Sequence, residues 1–173
     1  MPGWTIREER PGDEEPIHQV TEAAFANHPR SEGAEPAIVD ALRAGGDLTL
    51  SLVAEADGAV VGHVAFSRAV LSNGARGWQA LGPISVHPER QGEGVGRALV
   101  EAGTAHWRSA GAEGIVLLGD PDLYGRFGFE RSTPLHIEGP LARYFQVLAF
   151  TDEIPAASVD FAPAFREARP ANR

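Results

Sequence analysis

The stretch Leu81-Gly-Pro-Ile-Ser-Val-His-Pro-Glu-Arg-Gln-Gly-Glu-Gly-Val-Gly-Arg-Ala-Leu-Val100 decides how the rest of the chain is read. An apolar strand runs to His87-Pro88, a glycine-rich turn follows, and Val95 opens a helix. The turn, Gln91-Gly92-Glu93-Gly94-Val95-Gly96, sets consecutive backbone N–H groups at a helix N-terminus with little side-chain bulk around them. Amides in that position attract phosphate or pyrophosphate. The loop points to an anionic, nucleotide-derived ligand.

Two common phosphate-binding patterns do not fit. A P-loop needs Lys followed by Ser or Thr after its last glycine. Here Arg97-Ala98 follows Gly96, and the chain contains no Lys. A dinucleotide fold needs Gly-x-Gly-x-x-Gly in a first strand–helix unit, with an acidic residue about 20 positions on. This loop alternates as Gly-x-Gly-x-Gly and lies mid-chain, after several other elements. Three alternating glycines between Gln91 and Arg97 exceed what a strand–helix turn requires.

Length and composition set the outer bounds. The 173 residues suit one domain with a sizeable core over 1–150, and residues 151–173, which hold three Pro, read as an irregular tail. No apolar run is long enough to span a bilayer and no basic-then-apolar leader follows Met1, so a soluble cytoplasmic protein without a membrane partner is expected. The lack of Cys removes disulfides, thiolate metal sites and Cys nucleophiles. A net charge of −9 supplies no phosphate-tracking patch, which excludes a general nucleic-acid binder. Residues 1–60 hold twelve acids against four arginines, which suits either a cationic substrate or ordinary solvated helix faces.

The remaining elements follow from periodicity. Trp4–Arg7 is a short strand, Gly12-Asp13 caps a helix to about Phe25, and Ala37–Leu42 forms a second helix ended by Gly45-Gly46. Ser51–Glu55 and Ala59–Phe66 flank Asp57-Gly58, a hairpin signal, and the second arm reads on toward Leu71. Trp78–Val86 feeds the glycine loop, and the helix from Val95 to about Arg108 carries Val95, Leu99, Ala102 and His106 on one stripe, a packing role for His106. Gly114–Leu118 is a fully apolar strand, Asp122–Phe127 a short helix, Phe145–Phe150 a last strand, and Leu135–Ile137 a further candidate. This order predicts an α/β sandwich with a mixed sheet.

Two motifs on these elements resemble one family. Gln91-Gly-Glu-Gly-Val-Gly96 fits the (Gln/Arg)-x-x-Gly-x-(Gly/Ala) signature of the GNAT superfamily of acetyl-CoA-dependent N-acetyltransferases. Tyr124-Gly-Arg-Phe-Gly-Phe129 looks like that family's second motif, Tyr-x-x-x-Gly-Phe, and the Leu-Gly-Asp-Pro run before it is similar to a small bacterial subgroup. The resemblance implies a three-layer sandwich, a central mixed sheet flanked by helices, with two parallel strands splayed at the cofactor site. It implies acetyl-CoA as cosubstrate, an amine acceptor and no metal. A homodimer is a further expectation, because dimers are frequent in the family.

The same resemblance assigns roles by position. The loop Gln91, Gly92, Glu93, Gly94, Val95 and Gly96 would hold the pyrophosphate through its amides, with Arg97 either adding a charged contact or lying on the surface. The exposed backbone of Ile84, Ser85 and Val86 would receive the pantetheine arm, and the Val86 N–H the oxyanion. Tyr124 would act as general acid toward the departing thiolate, since a phenol stays protonated near neutral pH. Asp120 stands where the family often has Asn, and reads as either a cofactor contact or a helix cap. Leu81–His87 contains no carboxylate, which leaves His63, His87, Glu22 or water as the base. A CoA-binding domain without turnover and a transferase of longer acyl groups are the alternatives.

Overall fold

In the computed structural model, which describes residues 3–131 and 134–168, the first half of the chain comprises β1 (Thr5–Glu8), α1 (Glu14–Phe25), α2 (Glu35–Ala44), β2 (Leu48–Ala56), β3 (Ala59–Arg68) and β4 (Val70–Leu71). The second half comprises β5 (Trp78–Val86), α3 (Val95–Ser109), β6 (Gly114–Leu118), α4 (Pro121–Tyr124), β7 (Leu135–His136), β8 (Phe145–Ala149), β9 (Ala157–Asp160) and α5 (Ala164–Glu167). Six strands form one sheet in the order β1-β2-β3-β5-β6-β8, and β4-β9-β7 form a second. Only β5 and β6 run parallel in the large sheet, so it is mixed as expected. The β2–β3 hairpin turns through Asp57 and Gly58, both at positive φ (51° and 78°), the conformation that Asp-Gly favours.

Alternation along the strands divides the core between two faces. Ile115 and Leu117 of β6 join Leu52, Val64, Phe66 and Leu81 under α3, whereas Val116 between them joins Trp78 and Ala80 under the small sheet. On that second face α1 and α2 cover Val53 and Ala65 with Ile17, Val39 and Leu42. Glycines let α3 approach: a Cβ on Gly62 would stand 2.8 Å from Val95, and one on Gly103 would stand 2.3 Å from the Phe66 ring. The result is three layers, with α3 on one side of the large sheet. No helix among the described residues is long and apolar enough to cross a membrane.

Three local readings need correction. Residues 151–168 are not an irregular tail: β9 pairs with β4 (Leu71↔Val159) and with β7 (Leu135↔Ala157), and Ala157, Val159, Ala162 and Ala164 are buried. A four-residue strand among prolines has too short an alternation to show itself, and its partners lie far away in sequence. For the same reason Val70–Leu71 do not extend β3, which ends at Arg68; they belong to the small sheet. His106 is exposed, because the buried stripe of α3 runs Val95, Leu99, Gly103 and then the partly buried Trp107.

Candidate active site

The site begins with a break in the large sheet. β5 pairs with β6 only from Trp78↔Gly114 to Ala80↔Val116. Its pairing with β3 passes from Phe66↔Leu81 to Val64↔Ile84, so β5 carries one extra residue there, at Gly82-Pro83. Such a bulge bends the strand that contains it, and Pro83 has no N–H to offer a ladder. Beyond it β5 stays on β3 while β6 continues on β8 through Leu118↔Phe145, which opens a gap between β5 and β6.

Strand geometry decides which groups face that gap. The N–H of His87 is donated to Val61 O at 2.8 Å, on the β3 side. Backbone groups alternate along a strand, so Ser85 also turns to β3, and Ile84 and Val86 turn to the gap. Two contacts agree: the Ser85 carbonyl lies against Gly62 of β3, and the Val86 carbonyl accepts from the Gln91 side chain at 3.2 Å. The expectation that Ser85 offers free backbone is therefore corrected. Its hydroxyl goes to the α1 face instead, 3.3 Å from the Thr21 hydroxyl.

At the end of β5 the chain makes a short 3-10 turn, Pro88–Arg90, before the glycine loop. Gly92 and Gly94 have φ of +84° and +92°, and a Cβ at either would meet nothing within 4 Å. These two glycines supply the backbone conformation and leave open space above the loop. Among the described residues no acceptor takes the N–H groups of Gly92, Glu93, Gly94, Val95 or Gly96; the first α3 bond is Ala98 N to Gly94 O. Val95 is buried and anchors α3, while Glu93 lies 3.6 Å from Arg90. Arg97 is exposed and engaged by Glu101 at 2.8 Å, one turn along the helix.

Across the gap Gly119 follows β6, and a Cβ there would stand 2.4 Å from a Tyr124 ring carbon. The ring thus lies on the end of β6, held edge-on by Phe129 at 6.0 Å and tilted against Phe127 at 6.3 Å. Tyr124 is 9 % exposed, and its hydroxyl has no hydrogen-bond partner among the described residues. Burial pushes this phenol above its ordinary value. Asp120 caps α4, accepting from Asp122 N at 2.9 Å, so the cap reading of this residue holds.

The model of the family described as acetyltransferase (GNAT) domain matches residues 47–131, from β2 through α4. The uncharacterized N-acetyltransferase YhbS of Escherichia coli K12 is 39% identical over 126 residues, 72% of each chain. A GNAT family acetyltransferase from Brucella melitensis, solved with acetyl-CoA, is 49% identical, superposes with a TM-score of 0.85, and is matched over 95% of this chain and 99% of that one. YhbS from E. coli, solved with CoA, superposes at 0.88 with 33% identity over 100% and 97% of the two chains. The chain belongs to the GNAT family of acetyltransferases.

In this GNAT acetyltransferase the three candidate bases have different surroundings. His87 caps the 3-10 turn, its Nδ1 accepting from Glu89 N at 3.1 Å. Glu22 is exposed on α1. His63 is fully buried opposite Ser85, with Nε2 2.8 Å from the Ser51 hydroxyl, which itself donates to Glu9 at 2.9 Å. That chain places the proton on Nε2 and leaves Nδ1 bare, and Nδ1 has no partner among the described residues. Burial pushes the His63 imidazole down to about 4, the nearby Glu9 offsetting only part of the effect, so it stays neutral near pH 7. Desolvation would raise the Glu9 carboxyl, but hydrogen bonds from Arg43 (2.6 Å) and Ser51 hold it below its ordinary value. Neither this network nor the Gly119–Tyr124 stacking was foreseen; a glycine ending an apolar strand just before an Asp-Pro cap was the available signal for the latter. Among the described residues no group of three His, Asp or Glu could hold a metal ion.

Proposed function

We propose that this chain moves an acetyl group from acetyl-CoA to a primary amine by direct transfer within a ternary complex. The observation that carries the reading is a conjunction at one end of the sheet. The β5 backbone at Ile84 and Val86 has no strand partner toward the gap, where the Val86 carbonyl meets the Gln91 side chain, and among the described residues the amides from Gly92 to Gly96 and the Tyr124 hydroxyl have no hydrogen-bond partner. Phosphate suits such amides at the start of α3, and the open space at Gly92 and Gly94 leaves room for it. Ile84 and Val86 offer N–H and C=O groups to the amides of a pantetheine arm, as a strand edge offers them to a peptide. The acetyl-CoA and CoA held by the two close structural relatives support that donor.

When bound, acetyl-CoA supplies a thioester carbonyl that a neutral amine can attack. The chain's own part is positional and electrostatic. The Val86 N–H, facing the gap, stabilises the oxyanion formed on attack. The Tyr124 hydroxyl donates its proton to the departing sulfur; burial keeps that phenol protonated until the moment of transfer. With His63 sealed and His87 occupied as a cap, the proton lost by the amine passes to water. CoA release followed with a thiol reagent over a panel of amines tests the reading, and the absence of Cys keeps the background low. Saturable release with at least one amine is expected. Tight acetyl-CoA binding with no release across the panel would identify a binding domain instead.

A further inference from the structure

We infer that the acceptor amine carries a carboxylate, received by Arg30 and Arg143 beside the Tyr144 ring. This rests on the proposed transfer and names the acceptor class for it. Tyr144 directly precedes β8, and its carbonyl accepts from Gly119 N at 3.0 Å; the Gln146 side chain donates to Gly119 O at 2.8 Å. Tyr144 is thereby tied to the end of β6, one lip of the gap. On the other lip Thr21 of α1 meets Ser85 of β5. After α1 ends at Phe25, the following loop carries the Arg30 guanidinium to 4.9 Å from the Tyr144 ring centroid. The α1–α2 loop thus crosses from the β5 lip to the β6 lip, and Arg30 closes the crossing.

Charge decides the chemistry. Arg143 brings a second guanidinium to 4.8 Å from the same ring. Among the described residues neither Arg30 nor Arg143 has a carboxylate partner, in a chain with 24 acids and a net charge of −9. Several acids of the N-terminal third are engaged, Glu9 by Arg43, Asp13 and Glu55 by Arg7, Asp40 by His18 and Glu35 by Ser31, whereas Glu22 and Glu32 are exposed. Two like charges beside one ring repel, and an anion within reach of both would offset that cost. The ring face holds each guanidinium by cation–π attraction, and the planar fork fits the two oxygens of a carboxylate.

The test compares glycine, β-alanine, 4-aminobutanoate and phenylalanine, each with its own carboxamide, by CoA release at saturating acetyl-CoA. A carboxylate preference of about 10-fold or more in kcat/KM is expected for at least one pair, as two charge-assisted hydrogen bonds would give. Arg30→Gln and Arg143→Gln should each shrink that preference, and the double variant should abolish it with acetyl-CoA affinity unchanged. A readout that needs no turnover is calorimetric titration of the N-acetylated acids and their carboxamides into the protein saturated with CoA. Tighter, arginine-dependent binding of the acids supports the site even if no amine is acetylated, in which case the transfer reading alone fails. Amines turned over without carboxylate preference, or acids and carboxamides bound equally, overturn the inference and leave the transfer standing.

Discussion

Tyr124 and Tyr144, the two tyrosines of the chain, both meet Gly119, and they meet it in opposite ways. Tyr124 lays its ring on the missing side chain of Gly119, among Phe127 and Phe129, on the face covered by α3. Tyr144 binds the Gly119 N–H through its backbone and turns its ring to two arginines. One phenol is buried, apolar in its surroundings and pushed up in pKa; the other is half-exposed beside cations. On the proposed reading the same side chain at the same strand end serves donor chemistry on one side and acceptor recognition on the other. What separates them is the environment that the flanking elements supply.

The largest effects are expected on the donor side. Gly94→Asp should weaken acetyl-CoA binding by about 10²-fold or more, because a carboxylate then faces the pyrophosphate, while N-acetylated acids still bind. Calorimetry with each ligand checks this, and unchanged acetyl-CoA affinity would remove the phosphate-cradle argument. Tyr124→Phe should lower kcat by roughly 10²-fold with little change in acetyl-CoA affinity. Affinity falling as far as kcat would make Tyr124 a packing residue.

Gly119→Ala strikes the residue that both tyrosines share. Its new methyl would overlap the Tyr124 ring, so chemical denaturation should show a loss of roughly 1–3 kcal/mol. Tyr144→Phe makes the same chemical change as Tyr124→Phe where only the ring and the backbone are used. It should alter kcat less than about 2-fold, against the usual range for removing an acid catalyst. Equal losses at the two positions would erase the distinction. Burial favours the neutral phenol, so the raised Tyr124 value keeps it protonated to higher pH than an exposed tyrosine. The pH profile of kcat should therefore show no alkaline loss belonging to Tyr124 below about pH 10. A fall centred lower, and missing in Tyr124→Phe, would contradict the buried acid.

Much of the donor half was legible because it is local. Asp57-Gly58 specifies its own hairpin, β5, the glycine loop and α3 follow one another along the chain, and Tyr124 lies within one short helix after its cap. The acceptor half was not. Arg30 and Tyr144 are far apart in sequence, and nothing in the residues around either one announces the other. The acidic N-terminal third even pointed the opposite way, and ion pairs engage only part of it, Glu9, Asp13 and Glu55 among them.

By itself the sequence determined the α/β order, the amide-lined loop and the family, since turn chemistry and strand or helix periodicity act over a few residues. Only the tertiary structure decided that β5 leaves β6 after Ala80, that Ser85 turns its backbone inward, and that His63 is sealed away from the gap. It also placed Ala157–Asp160 in a strand, β9. Each of these depends on which strand lies beside which, and pairing between distant segments is set by the packing of the whole sheet.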